Sequence, residues 1–273
     1  MPSSAPLSVA VAGLGAIGMR VAQALDEGVV PGLRLSAVAA ARPDRARARV
    51  SALRAPPPVV ALSGLADHAD VIVECVPAAH VPDLLAPAIE AGRTILPLSV
   101  GVLLEHDGFI ARAAQTGAKL IVPTGALIGL DTVRAMAVGR VHEVRLETRK
   151  PPAGLAGAPY LLQHGIDLEG LREPRCVFEG NAREAARGFP ANVNVAAALA
   201  LAGVGPERTR VEIWADPSLT RNVQAVTLRS DAGEAQMTMY NVPSDENPRT
   251  GRIVAQSVIA ALARLRAPLT AGS

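Results

Sequence analysis

The stretch SVAVAGLGAIGMRVAQAL at residues 8–25 decides the fold. It begins with a short apolar run at 8–12, continues through GLGAIG at 13–18, and is helical in pattern to about Leu25. A strand, a G-x-G-x-x-G turn and a helix in this order are typical of a site that holds a dinucleotide pyrophosphate. A glycine-rich turn without a ligand is the alternative reading, but the strand and helix on either side favour the dinucleotide site.

Each residue of this turn has its own expected task. Gly13 permits the tight turn, Gly15 lets the backbone approach the pyrophosphate, and Gly18 lets the helix pack closely on the strand. Ala16 and Ile17 open the predicted helix, where free backbone N–H groups attract an anion. We therefore expect cofactor contacts from these five residues.

Strand-like and helix-like segments alternate from this turn as far as residue 125. The alternation predicts parallel strands joined by right-handed crossovers. Residues 1–125 are accordingly predicted to form a doubly wound α/β domain of the Rossmann type. The further predicted strands lie at 33–40, 59–62, 70–76, 94–99 and 119–122, and the further predicted helices at 43–53, 82–91 and 108–116.

The sequence pattern changes after Gly125. Residues 126–138 predict a helix, and residues 141–150 alternate apolar with charged side chains, which is typical of a sheet with one solvated face. The turn-forming SDAG at 230–233 predicts a β-hairpin. Residues 126–247 are thus predicted to form a second, α+β domain with a mixed or antiparallel sheet. Its further predicted elements are strands at 176–178 and 211–215, a helix at 183–187 and a helix ending at residue 203, and a last helix follows at 252–265.

Composition limits the classes of function. The 273 residues are 49% apolar and 19% charged, which excludes disorder as the overall state. With 27 basic and 25 acidic residues, the net charge of +2 predicts no nucleic-acid or membrane partner. Lys119 and Lys150 are the only lysines, so lysine chemistry has two candidates at most. Two cysteines make no disulfide framework, no signal peptide or metal-ligand spacing is seen, and we expect a cytoplasmic protein without a metal.

The end of the second predicted strand bears on the choice between NAD and NADP. An acid there binds the ribose 2′-hydroxyl, whereas an arginine accommodates the 2′-phosphate. The strand ends in Ala-Ala-Ala-Arg at 39–42, so Arg42, with Arg45 nearby, predicts that NADP is at least tolerated. Asp44 is placed slightly late for the ribose, and a helix-capping role is equally consistent with its position.

Five segments, spread over nearly the whole chain and occurring in order, together resemble the L-aspartate dehydrogenase family of nicotinamide-dependent amino-acid dehydrogenases. They are GLGAIG at 13–18, VPTGALIGLD at 122–131, FPANVNVAAALA at 189–200, ADPSLTRN at 215–222 and ENPRT at 246–250. The last four combine polar groups with turn residues.

The resemblance implies a Rossmann domain completed by the C-terminal segment 248–273. It also implies that the second domain binds the substrate and forms a homodimer. The implied reaction is the reversible NAD(P)-dependent oxidation of L-aspartate to iminoaspartate, which feeds NAD biosynthesis or hydrolyses to oxaloacetate and ammonia. Ala126 and Asn192, both at or just before a predicted helix start, are implied to hold the nicotinamide carboxamide, with Asn192 also close to the chemistry.

One position departs from the family. The family motif N-x-H carries the histidine regarded as catalytic, whereas this chain has Asn222-Val223-Gln224. A glutamine donates and accepts hydrogen bonds but takes up no proton near neutral pH. Gln224 is therefore expected to orient a carbonyl, carboxylate or imine while water moves the proton.

This departure keeps two alternatives open, a reductase of another imine or carbonyl and a non-catalytic NAD(P)-binding protein. Among the histidines, His80 follows a predicted strand and is a minor candidate for the site, while His142 is expected on a solvated face. Arg221 and Arg249 are the candidates for binding a substrate carboxylate.

Overall fold

The computed structural model describes residues 5–191, 193–247 and 250–272. The chain divides into two compact units. The first comprises the residues up to 123 together with 255–270, and the second comprises 124–254 together with the last three residues.

The first unit is built on a five-stranded parallel sheet, as the alternating pattern predicts. The strand order is β2-β1-β3-β4-β5, so the chain winds outward in both directions from β1. In β1 five of the six residues are buried, which is why the strand reads as a continuous apolar run. The strands are β1 Leu7–Ala12, β2 Leu33–Ala39, β3 Val71–Glu74, β4 Thr94–Pro97 and β5 Lys119–Leu120.

Helices cover this sheet, and the last helix of the chain joins them. Val258 and Leu262 of that helix are fully buried in one cluster with Val9, Val11 and Leu25. The buried members of the cluster are all Val, Leu or Ala, so burial of aliphatic side chains holds this unit together. The helices are α1 Ala16–Asp26, α2 Pro43–Val50, α3 Val81–Glu90, α4 Val102–Glu105, α5 Gly108–Thr116 and α10 Arg252–Arg264.

The predicted strand at 59–62 is wrong. Val59 makes only an isolated bridge to Val38, and a 3₁₀ helix begins at Leu62. The prolines at 56–58 lack N–H groups, so a ladder on β2 cannot extend through them.

The second unit contains a five-stranded mixed sheet of order β10-β9-β6-β8-β7. β6 and β8 are parallel and the other neighbouring pairs are antiparallel, and β9 and β10 form the predicted hairpin. One face is buried, while the other carries ion pairs such as Arg145 with Glu212 at 3.2 Å. The strands are β6 Val141–Lys150, β7 Arg175–Asn181, β8 Thr209–Ala215, β9 Val223–Ser230 and β10 Gly233–Tyr240. The helices are α6 Leu130–Met136, α7 Pro159–Gln163, α8 Ala182–Gly188 and α9 Asn194–Ala202.

The helix predicted at 126–138 begins four residues late. Gly129 adopts a left-handed φ of 73° as the residue before α6, so the chain ahead of it forms a turn instead of a helix. Ala126 therefore lies in a turn and not at a helix start, which corrects the structural reason given for its cofactor contact.

Candidate active site

The glycine turn after β1 has the geometry that its sequence predicts. Gly13 has a φ of +90°, and a Cβ there would collide with the carbonyl oxygen of Cys75. A Cβ on Gly18 would collide with the carbonyl oxygen of Gly13. At Gly15, by contrast, a Cβ would meet nothing within 4 Å. Two glycines thus permit close packing within the protein, and the third leaves its space open for a ligand.

The N-terminus of α1 adjoins this open space. Gly15 is the residue before the helix and supplies no side-chain cap, so Ala16 and Ile17 begin α1 without one. The first turn of α1 also has no acidic residue. Backbone N–H groups at such a helix start attract an anion, and a dinucleotide pyrophosphate fits this arrangement.

A cleft of about 1340 Å³ opens at the carboxyl ends of β1, β2 and β3. Parallel sheets bind their ligands at this edge. The open backbone of Gly15 and the volume of the cleft fit an extended dinucleotide such as NAD or NADP. The cleft is lined by, among others, residues 13–15, 40–42 and 75–77 together with His80.

Arginines line the part of the cleft next to the end of β2. Arg42 and Arg45 are exposed there, and Arg49 donates a hydrogen bond to the Leu14 carbonyl oxygen. Asp44 is exposed and pairs with Arg47 at 2.7 Å. The helix-capping role considered for Asp44 is not what the structure shows, since α2 has no side-chain cap and the Asp44 carboxylate accepts from Arg47 of the same helix.

Glu74, at the end of β3, is a buried carboxylate that the sequence analysis does not single out. Its oxygens accept hydrogen bonds from the backbone N–H groups of Val76, Leu98 and Ser99 at 2.7, 3.0 and 2.8 Å, and from the Ser99 hydroxyl at 3.1 Å. Burial raises the pKa of Glu74, and these hydrogen bonds oppose the rise. Glu74 therefore fixes the chain after β3 to the chain after β4 at the edge where the cleft opens. An acid inside the apolar run VIVECV at 71–76 is the signal for it in the sequence.

Polar side chains gather at one end of the buried face of the mixed sheet. Gln224 on β9 lies opposite Thr148 on β6 in the antiparallel register. The two residues are only 2% and 3% exposed. Neither the Gln224 Oε1 atom nor the Thr148 Oγ1 atom has a hydrogen-bond partner among the described residues.

Asn241 and Lys150 extend this group. Asn241 is buried just after β10, and its Nδ2 donates to the Ala126 carbonyl oxygen at 3.1 Å while its Oδ1 has no partner within the described ranges. Lys150 is two residues beyond Thr148 on the same face of β6 and is 7% exposed. With Asn222, whose carbonyl oxygen accepts from the Asn241 N–H, we call these the sheet-end polar cluster: Thr148, Lys150, Asn222, Gln224 and Asn241.

Such a cluster is costly in a folded protein. Each buried polar atom without a hydrogen bond costs about 1–3 kcal/mol. Three such atoms at the end of one sheet face indicate a site prepared for a polar ligand. The sequence contains a signal for it, because the buried positions of β6 change from Val144 and Leu146 to Thr148 and Lys150.

The other predicted candidates are Asn192, Arg249, Arg221 and the histidines His80 and His142. Asn192 and Arg249 lie outside the described residues. Arg221 is exposed, with its guanidinium 5.4 Å from the centre of the Tyr240 ring. His80 lines the cleft, half exposed and 4.0 Å from Asp83, and His142 is exposed as expected.

Across the part of the chain that the structure describes, no cluster of three or more His, Cys, Asp or Glu side chains has an arrangement that could bind a metal ion. No helix within the same residues has the length and apolar character needed to cross a membrane. Cys75 and Cys176 are both free thiols.

The Rossmann sheet with its glycine turn, followed in the same chain by a mixed sheet with a buried polar end, defines the class of nicotinamide-dependent dehydrogenases. Residues 13–123 match the family profile "Homoserine dehydrogenase, NAD binding domain", and residues 131–265 match "Aspartate dehydrogenase, C-terminal". The chain is 49% identical over 273 residues to L-aspartate dehydrogenase 3 of Bordetella bronchiseptica, covering 100% of both chains. It is also 49% identical to the L-aspartate dehydrogenase of Bradyrhizobium diazoefficiens, covering 99% of this chain and 96% of the relative. The chain therefore belongs to the L-aspartate dehydrogenase family.

Solved structures agree on the fold. The aspartate dehydrogenase of Thermotoga maritima superposes with a TM-score of 0.72 at 24% identity, covering 97% of this chain and 99% of that one. A homoserine dehydrogenase from Thiobacillus denitrificans gives a TM-score of 0.62 at 16% identity, covering 96% of this chain and 76% of that one. The predicted fold class, a Rossmann sheet plus a second domain with a mixed sheet, is confirmed.

Proposed function

We propose that this chain oxidises L-aspartate to iminoaspartate with NAD or NADP, and that Gln224 takes the place of the family histidine in doing so. The observation that carries the activity is the 49% identity to L-aspartate dehydrogenases along the whole chain. Iminoaspartate then hydrolyses to oxaloacetate and ammonia or serves NAD biosynthesis.

The cofactor site proposed here is the cleft of the first unit. When bound, NAD or NADP supplies the acceptor for the hydride that leaves the amine-bearing carbon. Gly13, Gly15 and Gly18 shape the turn, and the N-terminus of α1 at Ala16 and Ile17 binds the pyrophosphate. Arg42, with Arg45, binds a 2′-phosphate where the cofactor is NADP.

The substrate site proposed here is the sheet-end polar cluster of the second unit. Its unpartnered oxygens suit an amino acid, because an ammonium group can donate to the amide oxygens of Gln224 and Asn241, and the Thr148 hydroxyl can donate to a carboxylate. Gln224 orients a carboxylate or the imine through its amide. We also propose that Ala126 and Asn192 hold the nicotinamide carboxamide, and that Asn192 contributes to the chemistry, as the family resemblance implies.

The direct test is the formation of NADH or NADPH from L-aspartate at alkaline pH, with L-glutamate, L-alanine, D-aspartate and L-malate as comparison substrates. We expect turnover with L-aspartate and much slower turnover with the others. A rate no better than background at millimolar L-aspartate would remove L-aspartate as the substrate.

A second candidate, a reductase of another imine or a carbonyl, is favoured by one observation. Gln224 is buried without a partner for Oε1 among the described residues, where the family motif has histidine. Gln224→His separates the two cases. A large gain with L-aspartate indicates that glutamine limits an aspartate site, whereas no gain together with turnover of another keto acid or imine indicates a changed substrate.

We propose in addition that the protein is a cytoplasmic homodimer. The free thiols Cys75 and Cys176 are consistent with a reducing compartment, and family resemblance supports the dimer. Sedimentation of the purified protein tests the assembly, and a mass of about 28 kDa, that of one chain, would contradict it.

A further inference from the structure

We propose that Lys150 is the catalytic proton carrier, which accepts the proton from the α-ammonium group of aspartate during oxidation and returns it in the reverse direction. This inference rests on the proposed function and assigns the step that Gln224 cannot perform. The established activity of the family needs such a group, because a protonated amine has no lone pair with which to form the C=N bond.

The strand register places Lys150 beside Gln224. Thr148 pairs with Gln224 and Arg149 pairs with Val223, so the next position, Lys150, is diagonal to Gln224 on the same face. Diagonal neighbours across an antiparallel pair are about 7–8 Å apart, within reach of long side chains. On its other side Lys150 pairs with Ala215 of β8. The register therefore places Lys150 in the sheet-end polar cluster, on the strand between β8 and β9.

Burial prepares this amine for proton transfer. Lys150 is 7% exposed, and the loss of solvation lowers its pKa to about 8. A proton carrier works best when its pKa lies near the working pH, which a solvated lysine does not achieve.

Neighbouring elements place three uncharged residues beside Lys150. They are Ala215 from β8, Gln224 diagonally on β9 and Gly154 from the turn that follows β6. The charged groups adjoining in the chain or across the pair are Arg149 and Asp216. These two form an ion pair at 3.5 Å, and Asp216 also accepts the Ser218 hydroxyl at 2.6 Å.

The step balances without any further reactant. The neutral Lys150 amine removes one proton from the substrate ammonium. The nitrogen lone pair then forms the C=N bond as the Cα–H bond breaks and its electron pair leaves as hydride to NAD(P)⁺. The products are the iminium form of iminoaspartate, NAD(P)H and the Lys150 ammonium, which returns its proton to solvent or to the reverse reaction.

The first test measures the Lys150 amine directly and does not depend on activity. The chain has only two lysines, so protein labelled with ¹³C-lysine gives two Cε resonances, and Lys119→Arg identifies the exposed one. We expect the Lys150 resonance to titrate near pH 8 in the free enzyme. Titration at the ordinary value near 10.5 would overturn the proposal.

The second test uses activity and chemical rescue. For Lys150→Ala we expect kcat with L-aspartate to fall about 10²–10⁴-fold, the usual contribution of positioned proton transfer. Small primary amines added to the assay should restore part of kcat, with rates that follow the amine pKa, which a purely structural role would not produce. Lys119→Ala is the matched control and should keep the wild-type rate.

Lys150→Arg separates proton transfer from simple charge. Arginine keeps the positive charge but stays protonated, so we expect kcat as low as in Lys150→Ala. If Lys150→Arg keeps kcat and changes only KM, Lys150 binds a substrate carboxylate and the proposal fails. Urea unfolding of each variant reports folding, and the titration of the wild-type protein decides the case if a variant does not fold. If the wild-type protein does not oxidise L-aspartate while Lys150 titrates near pH 8, L-aspartate is excluded as the substrate, and the lowered pKa of Lys150 still stands.

Discussion

Removing the two exposed arginines at the end of β2 should change the cofactor preference. Arg42 and Arg45 line the cleft with exposed side chains whose charge fits an NADP 2′-phosphate, whereas the Arg49 guanidinium donates to the Leu14 carbonyl oxygen. We therefore expect Arg42→Ala and Arg45→Ala to weaken the use of NADP⁺ and to leave the use of NAD⁺ nearly unchanged.

The size of the effect follows from exposure. Exposed ion pairs contribute up to about 1 kcal/mol to the binding free energy, which is about fivefold in affinity. We use this upper value because the partner of each arginine is a phosphate. Each single variant should thus raise KM for NADP⁺ about fivefold, and the double variant about 25-fold if the two act independently. Raising the salt concentration should reduce the preference of the wild-type protein for NADP⁺ over NAD⁺, and it should have less effect on the double variant.

The assay is the initial rate of reduced-cofactor formation at saturating L-aspartate, with NADP⁺ and NAD⁺ varied in turn. Arg47→Ala is the matched control, because Arg47 is exposed on α2, the helix that contains Arg45, and pairs with Asp44. An equal loss with both cofactors, or no loss with NADP⁺ in the double variant, would refute the assignment of these arginines to the 2′-phosphate.

Three further predictions concern stability and the glycine turn. Both carboxylate oxygens of Glu74 accept hydrogen bonds, and Glu74→Gln leaves only one oxygen to accept them. We therefore expect the free energy of unfolding, measured in urea, to fall by about 2–4 kcal/mol. An unchanged free energy would contradict the bridging role of Glu74. Gly18→Ala places a Cβ against the Gly13 carbonyl oxygen, so it should lower the free energy of unfolding by about 1–3 kcal/mol and also weaken NADPH binding. Gly15→Ala should keep the wild-type stability and lose only NADPH binding. Because folding lowers the pKa of Lys150 from 10.5 to about 8, the unfolded chain holds more protons between these values, and stability should rise with pH across that window by about 3 kcal/mol. Lys150→Met should lack this rise. If the unfolding free energy of Lys150→Met rises with pH as it does for the wild-type protein, the prediction is contradicted.

The first unit could be predicted from the sequence in most respects, because its signals are local. The glycine turn leads directly into α1, and β1 and β3 consist mostly of apolar residues. The errors occurred where glycine or proline decides the backbone. In the first unit the proline run before Val59 prevents a strand, and in the second unit the left-handed Gly129 moves the start of α6 to Leu130.

The sheet-end polar cluster could not be predicted, because it depends on pairing between distant segments. Thr148 and Gln224 are 76 positions apart, and only the register of β6 with β9 makes them neighbours. The sequence showed Lys150 as one of two lysines and Gln224 as a departure from a motif, but not that the strands place the two on one buried face. The catalytic role of Gln224 remains a prediction, as does that of Asn192.

The central claim is that hydride leaves the amine-bearing carbon of L-aspartate. L-Aspartate deuterated at C2 tests this most directly when the NADPH that forms is analysed by mass spectrometry. We predict one deuterium in each NADPH, a slower rate than with ordinary L-aspartate if hydride transfer limits turnover, and one oxaloacetate and one ammonia for each NADPH. Reduced cofactor without deuterium, or no reduced cofactor from either NAD⁺ or NADP⁺, would contradict the account.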